Sequence, residues 1–181
     1  MCMFRDLRAD EIECRVAQAT EKGVSLLLYK DARCDQTILD ETVGEFGWQR
    51  CHTRDNANCI VSLWDEKKQQ WVSKEDTGTE SNTEKEKGLA SDSFKRACFN
   101  WGIGRELYTA PFVWIKPEDC TSLKMNQKTN RMQCYDTFEV QKIIIEKKRI
   151  VALAIKNTKN GKTCFVWQDA KWKAAQEQKN V

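Results

Sequence analysis

A chain of 181 residues, 40% hydrophobic and 31% charged, is long and apolar enough for one buried core and a small appended module, which excludes a disordered chain. No apolar run approaches the roughly 20 residues of a membrane span, and Met1-Cys2-Met3-Phe4-Arg5 leads straight into charged sequence, so a cytoplasmic protein without a secretory leader or a membrane partner is expected. The net charge of +3 hides an asymmetry: residues 1–121 carry 17 Lys+Arg against 22 Asp+Glu, and residues 122–181 carry 13 against 5. An acidic first region argues against a diffuse electrostatic grip there, so any polyanion must be held by a narrow local stripe, with the basic remainder supplying long-range attraction.

Taken in chain order, Ile12, Cys14 and Val16 alternate with polar neighbours and predict a short strand. Gly23 precedes a second, Val24–Tyr29. Asp31 then caps a helix running to about Val43, with Ala32, Leu39 and Val43 among its inward positions and Gly44 closing it. Three strands follow, Trp48–Arg54, Asn58–Trp64 and Gln70–Lys74, joined by the short polar segments Asp55-Asn56 and Asp65–Lys68. Arg50, His52 and Arg54 share one strand face by the two-residue period.

Thr77-Gly78-Thr79 leads into the most informative stretch, Glu84–Tyr108. At 100° per residue, Ala90, Phe94, Ala97, Cys98 and Trp101 form one stripe that must face a core. Roughly opposite lie Lys85, Gly88, Asp92, Lys95, Arg96 and Phe99. Cations beside a glycine and an aromatic ring suit a polyanion whose backbone must approach closely. A plainer reading is a solvated face with an Asp92–Arg96 ion pair at the (i, i+4) spacing. Ser81-Asn82-Thr83-Glu84 has a capping-box pattern, and Gly102 and Gly104 supply the stop. Tyr108–Ile115 is then extended, packing Phe112 and Trp114. Pro117 to Gln133 is polar; Phe138–Ile145, Arg149–Lys156 and Lys162–Trp167 read as three strands with turns at Glu146-Lys147-Lys148 and Asn160-Gly161. The expected division is a domain at 1–117, a linker or long loop at 118–136, a small basic β module at 137–168 and a polar tail at 169–181.

Nine cysteines are irregularly spaced without a C-x-x-C, and His52 is the only histidine, so the usual zinc ligand sets cannot be written. Reduced thiols packed as small apolar groups, with no metal and no cofactor, are expected. No Walker-type phosphate loop is present, and ATP is not required by any motif.

The run KGLASDSFKRACFNWGIGRELY resembles the signature helix and turn of the Rad-fifty-two/Rad-twenty-two family of single-strand annealing proteins, especially its phage and prophage members. Asp92, Phe94, Lys95, Arg96, Ala97, Trp101, Gly102, Ile103, Gly104, Arg105, Leu107 and Tyr108 stand where that motif has them. Upstream, Asp10–Val16, Lys30-Asp31-Ala32-Arg33 and Leu39–Gly44 followed by Trp48 fit in the same order, so the likeness covers about residues 8 to 115. It implies an α+β fold with a β-β-β-α core, here followed by a small C-terminal β module. It also implies a closed homo-oligomeric ring that holds single-stranded DNA in an outer groove. The function so implied is ATP-independent annealing of complementary strands in homologous recombination or double-strand-break repair, without enzymatic activity. A phage-encoded protein would act in the bacterial host cytoplasm, with a host or phage single-strand binding protein as candidate partner.

Carried over by residue, Lys95 and Arg96 match the paired cations on the phosphate backbone, and Arg33 lies near another family contact. Arg105 follows Gly104 at a helix end, where it reaches either a phosphate or the last helix carbonyls. Lys85, Arg50 and Arg54 complete the candidate DNA-binding set. Two departures weaken the inner DNA site: Phe99 stands in place of a third arginine, and Glu45 in place of a tyrosine. Phe99 stacks on a base or packs at a subunit boundary. Two rival readings are a ring-forming recombination interaction protein with weak DNA binding, and a metal-dependent nuclease built on Asp65-Glu66-Lys67-Lys68.

Overall fold

The computed structural model describes residues 4–79 and 85–179, with the side chains of residues 85–87 and 179 outside the description. In chain order the elements are β1 (Glu13–Thr20), β2 (Gly23–Tyr29), α1 (Ala32–Val43), β3 (Trp48–Thr53), β4 (Asn58–Asp65), β5 (Gln70–Thr77), α2 (Lys85–Trp101), β6 (Val113–Ile115), β7 (Leu123–Asn126), β8 (Arg131–Cys134), β9 (Phe138–Glu146), β10 (Arg149–Asn157), β11 (Thr163–Gln168) and α3 (Ala170–Lys179). Helices and antiparallel sheets coexist in an α+β chain. It divides into two units, Met1–Asp6 with Lys30–Arg105, and Leu7–Tyr29 with Glu106–Val181.

In the first unit, Asp31 caps α1 by accepting from the Cys34 N–H at 2.9 Å, and Gly44 ends it at φ 76°. The buried side of α1 is Cys34, Asp35, Ile38 and Leu39, whereas the expected Ala32 and Val43 are only half-buried. β3, β4 and β5 form an antiparallel meander in that order. Register places Trp48, Arg50 and His52 beside Leu63, Val61 and Cys59, which in turn lie beside Val72, Lys74 and Asp76, all on one face. α2 lies across β4 and β5 on that face. Phe94, Ala97 and Cys98 are fully buried, as the helical stripe requires, and Ser93 joins them because its hydroxyl donates to the Asn56 carbonyl at 3.0 Å. Trp101 is half-buried, its indole donating to the Val61 carbonyl at 3.0 Å.

The second unit corrects the expected domain division. β9, β10 and β11 are no separate module: they share one six-stranded antiparallel sheet with β1, β2 and β6, in the order β11-β10-β9-β1-β2-β6. The join is short, Glu13 opposite Glu139 and Cys14 opposite Phe138. The physical reason lies at the outer edge of β9: a three-stranded module would leave the backbone groups of that edge unpaired, and β1 takes them up. The stretch expected as a linker at 118–136 contains the β7–β8 hairpin. The polar tail forms α3, capped by Asp169, whose carboxylate accepts from the Lys171 and Trp172 N–H groups. Phe112 is exposed rather than packed; Val113 and Ile115 are the buried residues of β6.

The charge asymmetry is milder by unit than by sequence halves. Residues 1–6 and 30–105 carry 13 Lys+Arg against 15 Asp+Glu, while the remainder carries 17 against 12.

Candidate nucleic-acid interface

Lys95 and Arg96 are adjacent on α2 and therefore about 100° apart around its axis. They diverge. Lys95 is half-buried on the side of α1, within electrostatic reach of Asp35. Arg96 turns to the β5 edge, its Nε 3.4 Å from the Asp76 carboxylate. The Asp92–Arg96 pair expected from spacing does not form, because Asp92 instead accepts from the Thr79 backbone N–H at 2.9 Å.

Arg96 has company that periodicity did not indicate. Lys74 on β5 donates to the Asn100 carbonyl at 2.8 Å and sits 4.5 Å from the Trp101 ring centre. Arg105 donates to the same carbonyl at 2.8 Å and to that of Phe99 at 2.9 Å. Its guanidinium also lies 5.5 Å from the Phe99 ring centre. Asn100 closes the group by donating to Asp76 at 3.2 Å. Lys74, Arg96 and Arg105 thus gather around one helix end, where the last carbonyls and the helix dipole attract cations. Gly102 and Gly104, at φ 100° and 73°, make the turn that sends Arg105 back onto α2. Lys74 was missed in the sequence because only the β4–β5 register brings it to α2. The signal was its strand parity with Val72, readable once that face is known.

The remaining candidates scatter. Arg33 is 89% exposed at the first turn of α1 and pairs with the capping Asp31 at 2.8 Å. Burial would raise the Asp31 carboxyl, but the Cys34 N–H and Arg33 outweigh it and hold it low. Arg50 lies on the α2-facing side of β3 with its guanidinium 4.7 Å from the Phe94 ring centre; Trp48 stacks on the same ring at 6.0 Å. His52 shares that side, and partial burial followed by the charge of Arg50 pushes its pKa down. Arg54 leaves the expected row: at φ 52° it begins the turn after β3, and its carbonyl accepts from the Ala57 N–H at 3.0 Å. The strand period cannot extend into a left-handed turn. Lys85 opens α2, but its side chain and the Ser81–Glu84 capping pattern lie outside the described residues. Glu45 is exposed.

Beneath the helix turn, Lys30 and Asp35 form a buried ion pair in which Lys30 Nζ donates to both carboxylate oxygens. Burial pushes the Asp35 carboxyl up to about 6, against the opposing pull of Lys30 and then Lys95. A Cβ on Gly104 would meet Lys30 Cε at 2.3 Å, so the absent side chain makes room for the lysine stem. Lys30 is thus a structural residue that holds the helix turn.

Asp65, in the rival nuclease element, accepts from the Lys67 and Lys68 N–H groups at 3.0 and 3.1 Å and closes the β4–β5 turn. No described helix is long and apolar enough to cross a membrane. Comparisons with protein-family models, with curated proteins and with solved structures each return no match.

Proposed function

We propose that this protein binds single-stranded DNA at the C-terminal end of α2 and anneals complementary strands without ATP, serving recombination or double-strand-break repair. The observation that carries the reading is the convergence of Lys74, Arg96 and Arg105 beside the half-exposed Phe99 on an outer strand of the first unit's sheet. Cations there neutralise phosphates, and the ring offers a stacking surface that is indifferent to sequence. Annealing needs no bond chemistry: the strand must be extended and its base edges left accessible. The ordered sequence blocks that resemble the annealing family support the same conclusion.

Assembly into a closed homo-oligomeric ring belongs to the proposal. β3 and β5 are the outer strands of a three-stranded sheet, and a head-to-tail contact that closes on itself makes a ring. A phage-encoded protein acting in a bacterial cytoplasm, alongside a single-strand binding protein, fits this role.

The test is annealing of complementary oligonucleotides without nucleotide, run beside a mass measurement in solution. The Lys74→Ala/Arg96→Ala variant, which removes two cations of this cluster, is expected to lose binding while keeping its assembly state. A second reading, an interaction protein that grips DNA weakly, is favoured by the Arg96–Asp76 pair and by the bonds of Arg105 to helix carbonyls. It predicts unchanged annealing in that variant.

A further inference from the structure

The thiols of Cys120 and Cys134 and the carboxylate of Asp136 come together at the base of the β7–β8 hairpin, their ligand atoms all within 4.8 Å of one another. Cys120 follows the turn Pro117–Asp119, Cys134 ends β8, and Asp136 precedes β9. Sequence spacing hid the group, because thirteen residues lie between the two cysteines and the hairpin folds them back together.

Asp136 is held rigidly. Its oxygens accept from the Thr121 N–H, the Thr121 and Ser122 hydroxyls (each 2.6 Å) and the Asn157 amide (2.9 Å). Asn157 also donates to the Asp119 carbonyl at 3.0 Å, which ties the end of β10 to the same corner. Two of the donors to Asp136 are hydroxyls, which rotate and so can release a lone pair to a cation. Among the described residues, Lys159 forms an ion pair with this carboxylate, its Nζ 3.8 Å from Asp136. Cys164 on β11 lies outside this group but within electrostatic reach of Cys120 and Asp136, its thiol donating to the Ile155 carbonyl at 3.5 Å.

We propose that Cys120, Cys134 and Asp136 bind one thiophilic divalent cation, Zn²⁺, which pins the base of the β7–β8 hairpin. Two thiolates and a carboxylate form a borderline-soft, trianionic donor set that suits Zn²⁺ over Mg²⁺ or Ca²⁺, and three protein ligands leave the fourth tetrahedral position to water. The hydrogen bonds on Asp136 would orient the ligand as supporting partners do in metal sites. Binding releases the two thiol protons to solvent, with no change of oxidation state.

The probe is Co²⁺ added to the reduced, metal-free full chain. The expected result is a near-ultraviolet thiolate-to-metal band with tetrahedral visible bands, saturating at one equivalent and abolished by Zn²⁺. Cys120→Ser and Cys134→Ser should each weaken binding at least about tenfold. Cys164→Ser should leave it unchanged. Zn²⁺ should raise the melting temperature of the unaltered chain and of Cys164→Ser, but not of the other two variants. No band, a band that survives in Cys120→Ser/Cys134→Ser, or loss of the band in Cys164→Ser would each overturn the proposal. So would a Cys120–Cys134 disulfide, found by peptide mass in the chain purified without added reductant, that leaves Zn²⁺ without effect after reduction.

Discussion

If Arg96 holds DNA as proposed, Asp76 competes for it, and that competition can be measured. At 3.4 Å and with both side chains partly exposed, at 43% and 26%, the pair is screened by solvent and contributes about 0.2–1 kcal/mol. A phosphate must displace the carboxylate before it gains the guanidinium. Asp76→Asn removes the charge while keeping an acceptor for the Asn100 amide, which donates to Asp76 at 3.2 Å. Removing a competitor of that strength should tighten single-stranded DNA binding about 1.5- to 5-fold. Arg96→Ala should weaken it and reduce the slope of log affinity against log salt by about 0.7, the share of one phosphate contact on a single strand. Fluorescence anisotropy with a labelled oligonucleotide, repeated across salt concentrations, reads both quantities. If Asp76→Asn weakens binding, or Arg96→Ala leaves the salt slope intact, Arg96 is a structural cation and the interface is misplaced.

Further expectations concern the packing that presents this end of α2. Burial lifts Asp35 from 3.8 to about 6, so the folded state keeps a proton that the unfolded chain has lost. The resulting stabilisation is full below pH 3.8 and is lost as pH rises to about 6, at most about 3 kcal/mol across that window. Asp35→Asn should therefore gain on the unaltered chain between pH 4 and pH 7 in urea titrations; a constant difference would contradict the assignment. Gly104→Ala forces a Cβ into both a positive φ and the Lys30 stem, and should lower stability by about 1–3 kcal/mol. Denaturation indistinguishable from that of the parent chain would show that the turn relaxes freely. Phe94→Ala opens a cavity under Trp48 and removes the ring that faces Arg50, for a loss of about 3–5 kcal/mol in the same assay. A loss below about 1 kcal/mol would mean that the α2–sheet core is not tightly packed.

What the amino-acid sequence by itself determined is local. Asp31 and Gly44 bound α1 because a cap and a left-handed stop each need only one residue of the right type. The polar turns at Asp55-Asn56 and Asp65–Lys68 define the three-stranded meander, and a 3.6-residue stripe announces the buried face of α2. Tertiary structure decided the rest. Cys14 meets Phe138 from far along the chain, so no local period marks that β1 and β2 belong with β9 to β11. The same holds for side-chain partners. Arg96 chose Asp76 over Asp92, Lys74 joined Arg105 at one carbonyl, and two cysteines met Asp136, because each choice depends on which strand lies alongside. Caps and turns are written in neighbouring residues; pairings between distant ones exist only after burial of apolar surface has brought the strands together.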